Sequence, residues 1–135
     1  MKLLLDTHIW LWSLLEPARL SSRVAAALAD PTNEIWLSPI SVWELLVLTQ
    51  KGRVKLNEDV DEWIQQALRS APLKEAPLTF EVAQEVGKLS LPHRDPADRF
   101  LIASAKVFGL TLVTSDQNLI DAKVVPVMVN LRSTA

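Results

Sequence analysis

Three observations about the sequence predict an α/β fold with a mostly parallel central sheet. Short apolar segments alternate with segments of helical pattern along the chain. The apolar segments near the C-terminal end are rich in β-branched residues, and this pattern favours parallel strands joined by crossover helices. No repeat, linker or low-complexity tract interrupts the 135 residues, so we expect residues 1–135 to form a single domain.

The order of the elements follows from the apolar periodicity together with turn and cap residues. The sequence predicts, in this order, strand 3–5, helix 9–15, helix 20–29, strand 34–38, helix 39–50, helix 59–70, strand 73–78, helix 79–89, helix 96–108, strand 110–114 and strand 124–129. Ser21 is a plausible N-cap, and Gly52 and Gly109 stand just past the ends of two helices. Pro77 indicates an edge or a strand end.

Composition excludes several classes of function. The chain has no cysteine, which excludes thiol catalysis and Cys-ligated zinc and is compatible with a reducing cytoplasm. We expect no signal peptide, because Asp6 follows only three leucines at the start. We expect no membrane span, because no apolar run reaches ~20 residues. The net charge of −2 argues against a strongly basic nucleic-acid binder, although a carboxylate site would offset local basic groups in that count.

Two acidic residues stand where open α/β sheets usually hold their sites, beyond the carboxyl ends of strands. Asp6 directly follows strand 3–5, and Asp116 follows strand 110–114 after Ser115. An aspartate in such a place is often only a turn or helix-cap residue. For either residue taken alone, that structural interpretation is the favoured one.

Glu44 is the strongest anomaly in the sequence. It lies in the middle of predicted helix 39–50, and its neighbours one turn away, Ile40 and Leu48, are apolar. Burying a carboxylate on an apolar stripe is costly unless it is paired or bound to a metal. The alternative is that Glu44 marks the solvent face of a very apolar helix. We consider it weaker, because the other faces offer no better polar stripe.

Two further acids begin predicted helix 96–108. Asp95 and Pro96 suit the N-cap and N1 positions, so Asp95 is interpreted as a structural cap. Asp98 suits the positive end of the helix dipole, but it shares a face with Leu101 and Ile102. Its side chain is therefore expected to lean toward the sheet.

Convergence of the four acids Asp6, Glu44, Asp98 and Asp116 is a hypothesis from placement, since the sequence does not show it. Converging carboxylates repel one another, and some stay protonated unless a divalent cation binds. Mg²⁺ and Mn²⁺ prefer oxygen ligands and leave positions for water and substrate phosphate. A metal held in this way can stabilise the transition state of phosphodiester cleavage.

Four short motifs, in order and nearly end to end, resemble the PIN-domain family and more closely the VapC-type toxins of bacterial toxin–antitoxin pairs. The motifs are Leu5-Asp6-Thr7-His8, Val42-Trp43-Glu44-Leu45, His93-Arg94-Asp95-Pro96-Ala97-Asp98-Arg99 and Val113-Thr114-Ser115-Asp116. Each motif alone is weak, but the four in this order are a strong signature in a chain of this length.

The resemblance implies a PIN-like α/β/α sandwich and a Mg²⁺- or Mn²⁺-dependent endoribonuclease that cuts cellular RNA. It also implies a homodimer and inhibition by a small cognate antitoxin. The acidic site and its metal ligands would be Asp6, Glu44, Asp98 and Asp116. Thr114 or Ser115 would be a supporting hydroxyl that orients Asp116 or a metal-bound water, and Arg99 is a lesser candidate.

The chain departs from the family pattern at two positions. Such relatives often carry a lysine one helical turn after the glutamate, where this chain has Leu48. Lys51, Arg53 and Lys55 follow instead. They could guide an RNA backbone or form a solvated surface, and the sequence favours neither interpretation. Ala97 replaces a bulky apolar residue and is expected to matter little.

Histidine and tryptophan offer alternatives that we consider weaker. A histidine general base is conceivable, but we favour a structural role for His8 and a loop position near the site for His93. Base stacking by tryptophan is also conceivable, but core or interface packing is favoured for all five, which are Trp10, Trp12, Trp36, Trp43 and Trp63.

Two other functions stay open on the sequence alone. One is a phosphatase or phosphoacceptor domain with Asp6 as nucleophile. Sites of those kinds want a second aspartate where this chain has His8, or a lysine after a late strand, and residues 124–130 contain none. The other is a catalytically silent PIN scaffold that only binds a partner, against which the presence of all four acids argues.

Overall fold

A computed structural model describes residues 1–91 and 95–131, in which helices and strands alternate. The strands are β1 (Lys2–Leu5), β2 (Glu34–Leu37), β3 (Leu73–Glu75), β4 (Thr111–Thr114) and β5 (Val127–Val129). The helices are α1 (Thr7–Leu15), α2 (Ser22–Ala29), α3 (Pro39–Gln50), α4 (Val60–Arg69), α5 (Phe80–Val86), α6 (Pro96–Phe108) and α7 (Gln117–Ala122), with a short 3-10 helix at Pro17–Arg19. No helix in these ranges is long and apolar enough to cross a membrane.

The five strands form one sheet in the order β3-β2-β1-β4-β5. Every pairing between neighbouring strands is parallel, so the predicted α/β fold with a mostly parallel sheet is confirmed. From β1 the chain builds outward to β2 and β3, then returns to place β4 on the other side of β1. The strand order therefore reverses between β1 and β4, and such a reversal opens a crevice at the carboxyl ends of the two strands.

The alternation of side chains along β1 divides the core into two apolar layers. Leu3 and Leu5 pack with Trp10 of α1 on one face of the sheet. Leu4, pointing to the opposite face as strand geometry requires, packs with Ile102 of α6. All five of these side chains are almost fully buried. Helices cover both faces, which is the expected α/β/α sandwich.

Several predicted boundaries were wrong, for local reasons. Helix α7 was missed because its six residues are too few to show a helical period. The strand predicted at 73–78 is shorter in the structure, where β3 covers only Leu73–Glu75 and stops before Pro77. The strand predicted at 124–129 is also shorter, since β5 covers only Val127–Val129. Helix α5 ends at Val86 rather than residue 89, since Gly87 is its C-cap.

The ends of α6 agree with the sequence prediction. The Asp95 side chain accepts a hydrogen bond from the backbone N–H of Ala97 at 3.0 Å, and Pro96 occupies the first turn. Gly109 closes the helix in the left-handed conformation with φ of 67°, which costs glycine little because it has no Cβ. These caps fix where α6 starts and therefore where Asp98 lies.

The tryptophans are not all core residues. Trp10 is 1% exposed, whereas Trp43 is 51% exposed. The other three are partly buried. Core packing is therefore confirmed for Trp10. It is wrong for Trp43, for which only the alternative of interface packing stays open.

Candidate active site

The carboxyl ends of β1 and β4 bring Asp6 and Thr114 into contact. Parallel pairing sets Leu5 beside Val113, so Asp6 and Thr114 follow on neighbouring strands. The Thr114 hydroxyl donates a hydrogen bond of 2.8 Å to Asp6 Oδ2. Both residues are buried, with Asp6 8% exposed. Burial raises the pKa of Asp6, although the hydrogen bond from Thr114 opposes this shift.

Thr114 also positions the segment that carries Asp116. Its hydroxyl oxygen accepts a hydrogen bond of 2.9 Å from the backbone N–H of Asp116. Asp116 in turn caps α7, because its Oδ1 accepts from the backbone N–H of Asn118 at 2.9 Å. The hydroxyl of Thr114 thus orients both acids, because it bonds the carboxylate of Asp6 and the backbone N–H of Asp116.

The second candidate hydroxyl, that of Ser115, has a different partner. It donates to the backbone carbonyl of Asn130 at 3.1 Å and accepts from Asn130 Nδ2 at 2.9 Å. The hydroxyl therefore ties the end of β4 to the end of β5. Asn130 was not singled out in the sequence, where a lone asparagine near the C-terminal end gives no signal of such a role.

Helix α3 contributes Glu44, which is held by a residue that sequence reasoning missed. The hydroxyl of Thr7 donates to Glu44 Oε1 and lies 2.8 Å from Ser41 Oγ. Burial raises the pKa of Glu44, the bond from Thr7 opposes this, and the charge of Asp6 adds to it. The position of Thr7 directly after Asp6 in the first motif was the one available signal.

The acidity of Asp98, at the start of α6, is also changed by its surroundings. Its side chain is 7% exposed, which confirms that it leans toward the sheet. Burial, with the nearby charges of Asp95 and Asp116 next in size, raises its pKa to about 7. The charges of Asp6 and Glu44 act in the same direction, so all five carboxyl groups share one electrostatic environment.

These side chains line one cavity of about 330 Å³ at the carboxyl edge of the sheet. Its lining residues are Asp6, His8, Trp12, Glu44, Asp95, Asp98, Ser115 and Asp116. All four acids selected from the sequence are present. Asp95, interpreted only as a cap, both caps α6 and lines the cavity. His8 is exposed at the cavity, rather than buried at the junction of β1 and α1.

Two candidates remain, Arg99 and His93. Arg99 does not line the cavity, and its guanidinium donates a long hydrogen bond of 3.4 Å to the carbonyl of Leu91. That contact joins α6 to Leu91. His93 lies outside the described residues.

The donor set suits a hard divalent cation, because it consists of carboxylate oxygens. Within residues 1–91 and 95–131, however, no three His, Asp or Glu side chains form a ready-made metal site. Hydrogen bonds already hold Asp6 to Thr114 and Glu44 to Thr7. Closing these carboxylates around a cation would therefore need adjustment of side chains within the cavity.

Comparison with known proteins defines the class of protein that carries this fold and cavity. The model of the PIN domain family matches residues 3–125, which is nearly the whole chain. The chain therefore belongs to the PIN-domain family.

Within that family the similarity is to VapC proteins. The chain is 36% identical over 118 residues to Ribonuclease VapC22 of Mycobacterium tuberculosis, a match that covers 86% of this chain and 88% of the relative. This match makes the chain a homologue of VapC ribonucleases of toxin–antitoxin systems and confirms the resemblance carried by the four motifs.

Solved structures share the fold at lower identity. VapBC2 of Rickettsia felis, bound to a promoter DNA fragment, gives a TM-score of 0.73 at 19% identity and covers 95% of this chain and 98% of its own. VapBC of Salmonella typhimurium, also bound to DNA, gives a TM-score of 0.69 at 16% identity, and the match covers 97% of this chain and 99% of that chain. At these identities the likeness concerns the fold alone.

Proposed function

We propose that this protein is a Mg²⁺- or Mn²⁺-dependent endoribonuclease that hydrolyses a phosphodiester bond of cellular RNA. One observation carries the proposal: Asp6, Glu44, Asp98 and Asp116 line a single cavity where the strand order reverses. Burial and mutual repulsion raise the pKa of three of them. A cluster of this kind is stable as a set of charges only with a cation, and it is placed where α/β proteins bind their ligands.

The role of each residue follows from its contacts. Asp6, Glu44, Asp98 and Asp116 would hold the cation. When bound, the metal supplies positive charge for the phosphate and favours ionisation of water. Thr114 holds Asp6 in place, and Thr7 holds Glu44. Arg99 would act from outside the cavity, through its contact with the carbonyl of Leu91. Because Asp6 and Asp98 are less than a tenth exposed, the protein excludes most bulk water from their charges, which strengthens electrostatic stabilisation at the reacting phosphate.

The biological setting of the proposal is a toxin–antitoxin pair. The solved structures that share this fold include VapBC complexes, one of which is described as a member of the VapBC family of toxin–antitoxin systems, and we infer that this chain is likewise the toxin. A small cognate antitoxin would bind and inhibit it. A homodimer is the assembly that we propose for the toxin.

Removal of the metal or of Asp6 should abolish cleavage. We expect RNA cleavage by the wild type with Mg²⁺ or Mn²⁺ and none with EDTA, and a loss of about 10³-fold in Asp6→Asn, since a lost metal ligand forfeits several kcal/mol of transition-state stabilisation. Cleavage is followed on labelled RNA by gel electrophoresis. Asp61→Asn, an exposed acid in the first turn of α4, is the matched control. Equal cleavage by wild type and Asp6→Asn would mean a contaminating nuclease and would refute the proposal.

We expect the contribution of Thr7 to catalysis to come from its hydroxyl, which bonds Glu44. We expect Thr7→Val to lower kcat about 10- to 100-fold, in the range typical for residues that orient metal ligands. Thr7→Ser keeps the hydroxyl and should restore most of the activity. Because valine removes the one hydrogen bond that lowers the pKa of Glu44, Thr7→Val should also shift the pH–rate profile and weaken Mg²⁺ binding, whereas Thr7→Ser should not. Equal loss in both variants would point to packing rather than the hydroxyl.

A further inference from the structure

Two buried hydroxyls adjoin Glu44 where the first turns of α1 and α3 meet. Thr7 is the first residue of α1, and its Oγ1 lies 2.8 Å from the Oγ of Ser41, which belongs to the first turn of α3. Thr7 is 1% exposed and Ser41 is 0% exposed. Because neither hydroxyl meets bulk water, the protein alone decides what each of them bonds.

The Ser41 hydroxyl is not used to cap its own helix. The spacing of Ser41 and Glu44 is that of a capping box, in which a serine begins a helix and a glutamate follows three residues later. Helix α3 begins earlier, however, because its N-cap is Ser38, whose Oγ accepts from the backbone N–H of Ile40 at 3.0 Å. In the described parts of the chain, Thr7 is the one group that bonds the Ser41 hydroxyl. That hydroxyl therefore serves the contact with α1.

The positions of Ser41 and Glu44 on α3 let one hydroxyl of α1 contact both. The two residues are three positions apart, so their side chains are neighbours on one face of the helix. The Thr7 hydroxyl bonds Glu44 Oε1 and also lies against Ser41 Oγ. The three side chains thus form a hydrogen-bonded chain in the order Ser41, Thr7, Glu44, which we call the hydroxyl relay.

The number of hydrogens fixes the direction of the hydroxyl relay. A hydroxyl donates one hydrogen bond, and an ionised carboxylate only accepts. A glutamate that binds a metal is a carboxylate, so the single hydrogen of Thr7 goes to Glu44 Oε1. The bond between Thr7 and Ser41 then uses the hydrogen of Ser41. If Thr7 donated to Ser41 instead, Glu44 Oε1 would lose its donor, and the Ser41 hydrogen would have no acceptor among residues 1–91 and 95–131.

We propose that Ser41 is a positioning residue of the active site, which acts on Glu44 through Thr7. By donating to Thr7, Ser41 keeps the Thr7 hydrogen on Glu44 Oε1, and hydrogen bonds in such a chain strengthen one another. One carboxylate oxygen of Glu44 is thereby tied to α1, and the other is left for a cation in the acidic cavity that Glu44 lines. The proposal rests on the proposed function and adds to it a residue outside the cavity lining.

Binding of Mn²⁺ alone tests the hydroxyl relay, because it needs no RNA. The ion is titrated into the protein, and free Mn²⁺ is measured by electron paramagnetic resonance. Ser41→Ala should weaken Mn²⁺ binding about tenfold, at the lower end of the range for residues that orient metal ligands. Ser41→Cys keeps nearly the same shape but offers only a weak donor, so it should lose nearly as much.

Two results of this titration would overturn the proposal. One is wild-type Mn²⁺ binding by both Ser41→Ala and Ser41→Cys, which would show that the hydroxyl does not act on the site. The other is binding that is lost in Ser41→Ala and retained in Ser41→Cys, which would assign the effect to packing rather than to the donated hydrogen.

A double-mutant cycle tests whether Ser41 acts through Thr7. Thr7→Val already removes the hydroxyl to which Ser41 donates. Ser41→Ala added to Thr7→Val should therefore change Mn²⁺ binding by less than about twofold, since residues that act through one contact are not additive. Losses that multiply would mean that Ser41 acts on the site independently of Thr7, and the proposal would be wrong.

Ser104 provides the matched control, because it is a serine in an equally buried position of α6. It is 0% exposed, and its Oγ has no hydrogen-bond partner within residues 1–91 and 95–131. Ser104→Ala should leave Mn²⁺ binding unchanged, and urea unfolding without metal checks that every variant is folded. Equal losses of Mn²⁺ binding in Ser104→Ala and Ser41→Ala would mean a general response to a lost buried hydroxyl and would count against the hydroxyl relay.

Cleavage assays keep the hydroxyl relay separate from the proposed ribonuclease. In Ser41→Ala the loss of RNA cleavage should shrink as the Mn²⁺ concentration is raised, because saturation compensates for weaker binding. Mn²⁺ binding that depends on Ser41 in a protein that cuts no RNA would support the hydroxyl relay and refute the nuclease. Cleavage by the wild type, together with Mn²⁺ binding that ignores Ser41, would support the nuclease and overturn the hydroxyl relay.

Discussion

Asp98→Asn should stabilise the metal-free protein and abolish its activity at the same time. At neutral pH, folding buries a carboxyl whose charged form is disfavoured by burial and by four nearby acids. Asparagine has nearly the same shape and no charge, so it removes that cost. The same change removes a proposed metal ligand, and we expect cleavage to fall about 10³-fold or more. Stability and function would therefore respond in opposite directions at one residue, as expected where a site is strained for its function.

The gain in stability should depend on pH in a defined direction. Asp98 has a folded-state pKa of about 7 against an ordinary value of 3.8. Below pH ~4 the carboxyl is protonated whether the chain is folded or not, so its charge costs nothing. Between pH ~4 and 7 the unfolded chain gives up this proton while the folded protein keeps it, so the cost to folding grows with pH and is complete once the folded carboxyl also ionises above pH 7. We therefore expect Asp98→Asn to raise the free energy of unfolding by up to about 4 kcal/mol at pH 8 and to have little effect at pH 4.

Urea unfolding with EDTA at pH 4, 6 and 8 measures this effect. The control Asp61→Asn, at an exposed position, should change stability by less than about 0.5 kcal/mol at each pH. Added Mg²⁺ should stabilise the wild type more than Asp98→Asn and so narrow the difference, since a ligand that binds only the folded state stabilises it. A variant less stable than the wild type at pH 8 without metal would contradict the description of Asp98 as a carboxyl whose charge opposes folding.

The cavity acids that the sequence nominated are those that follow strands and the one that stands on an apolar helix. Asp6 and Asp116 could be assigned because parallel strands present their carboxyl ends at one edge. Glu44 could be assigned because its neighbours Ile40 and Leu48 are apolar. In each case a local pattern carries the information, so one chain without relatives was enough to nominate the residue.

The parts that the sequence did not predict depend on contacts between distant segments. The bond from Thr7 to Glu44 joins residues 37 positions apart, and no local pattern reports which hydroxyl meets which carboxylate. Asp95 shows a different failure. Its role as a cap explained it fully, so nothing suggested that a capping carboxylate at the start of α6 would also face the other acids. One structural role does not exclude a second role in the site.

The basic segment after α3 illustrates the same limit. The sequence could not choose between RNA contact and solvent for Lys51, Arg53 and Lys55, since the three alternate along an exposed stretch. A glycine after a helix was visible in the sequence, and Gly52 does adopt a φ of 70° just past the end of α3. The hollow that Arg53 and Lys55 line together with Leu11 and Trp12 of α1 is formed by distant segments, so no local pattern could show it.

Asn130→Ala should cause the largest loss of stability among the polar changes considered. Asn130 is 4% exposed, and its side chain joins three segments. Oδ1 accepts from the backbone N–H of Ser21 at 2.6 Å, and Nδ2 donates to the carbonyl of Arg19 at 3.1 Å and to the Ser115 hydroxyl at 2.9 Å. Alanine leaves the backbone N–H of Ser21 and the carbonyl of Arg19, which belong to partly buried residues, without this side chain as a partner. Since each unsatisfied buried group costs ~1–3 kcal/mol, we expect a loss of about 2–4 kcal/mol.

The comparison with Asn130→Asp separates the two ends of this side chain. Aspartate keeps the acceptor for Ser21 but replaces the donor to the Arg19 carbonyl with a second acceptor, so like dipoles face each other there and the loss should at least equal that of alanine. Asn57→Ala, at an exposed loop position, should change stability by less than about 0.5 kcal/mol. At temperatures where all variants are folded, Asn130→Ala should also lower cleavage, because Ser115 loses one of the two hydrogen bonds that tie it to residue 130 at the end of β5. Urea unfolding of Asn130→Ala indistinguishable from that of Asn57→Ala would show that this junction does not hold the site together.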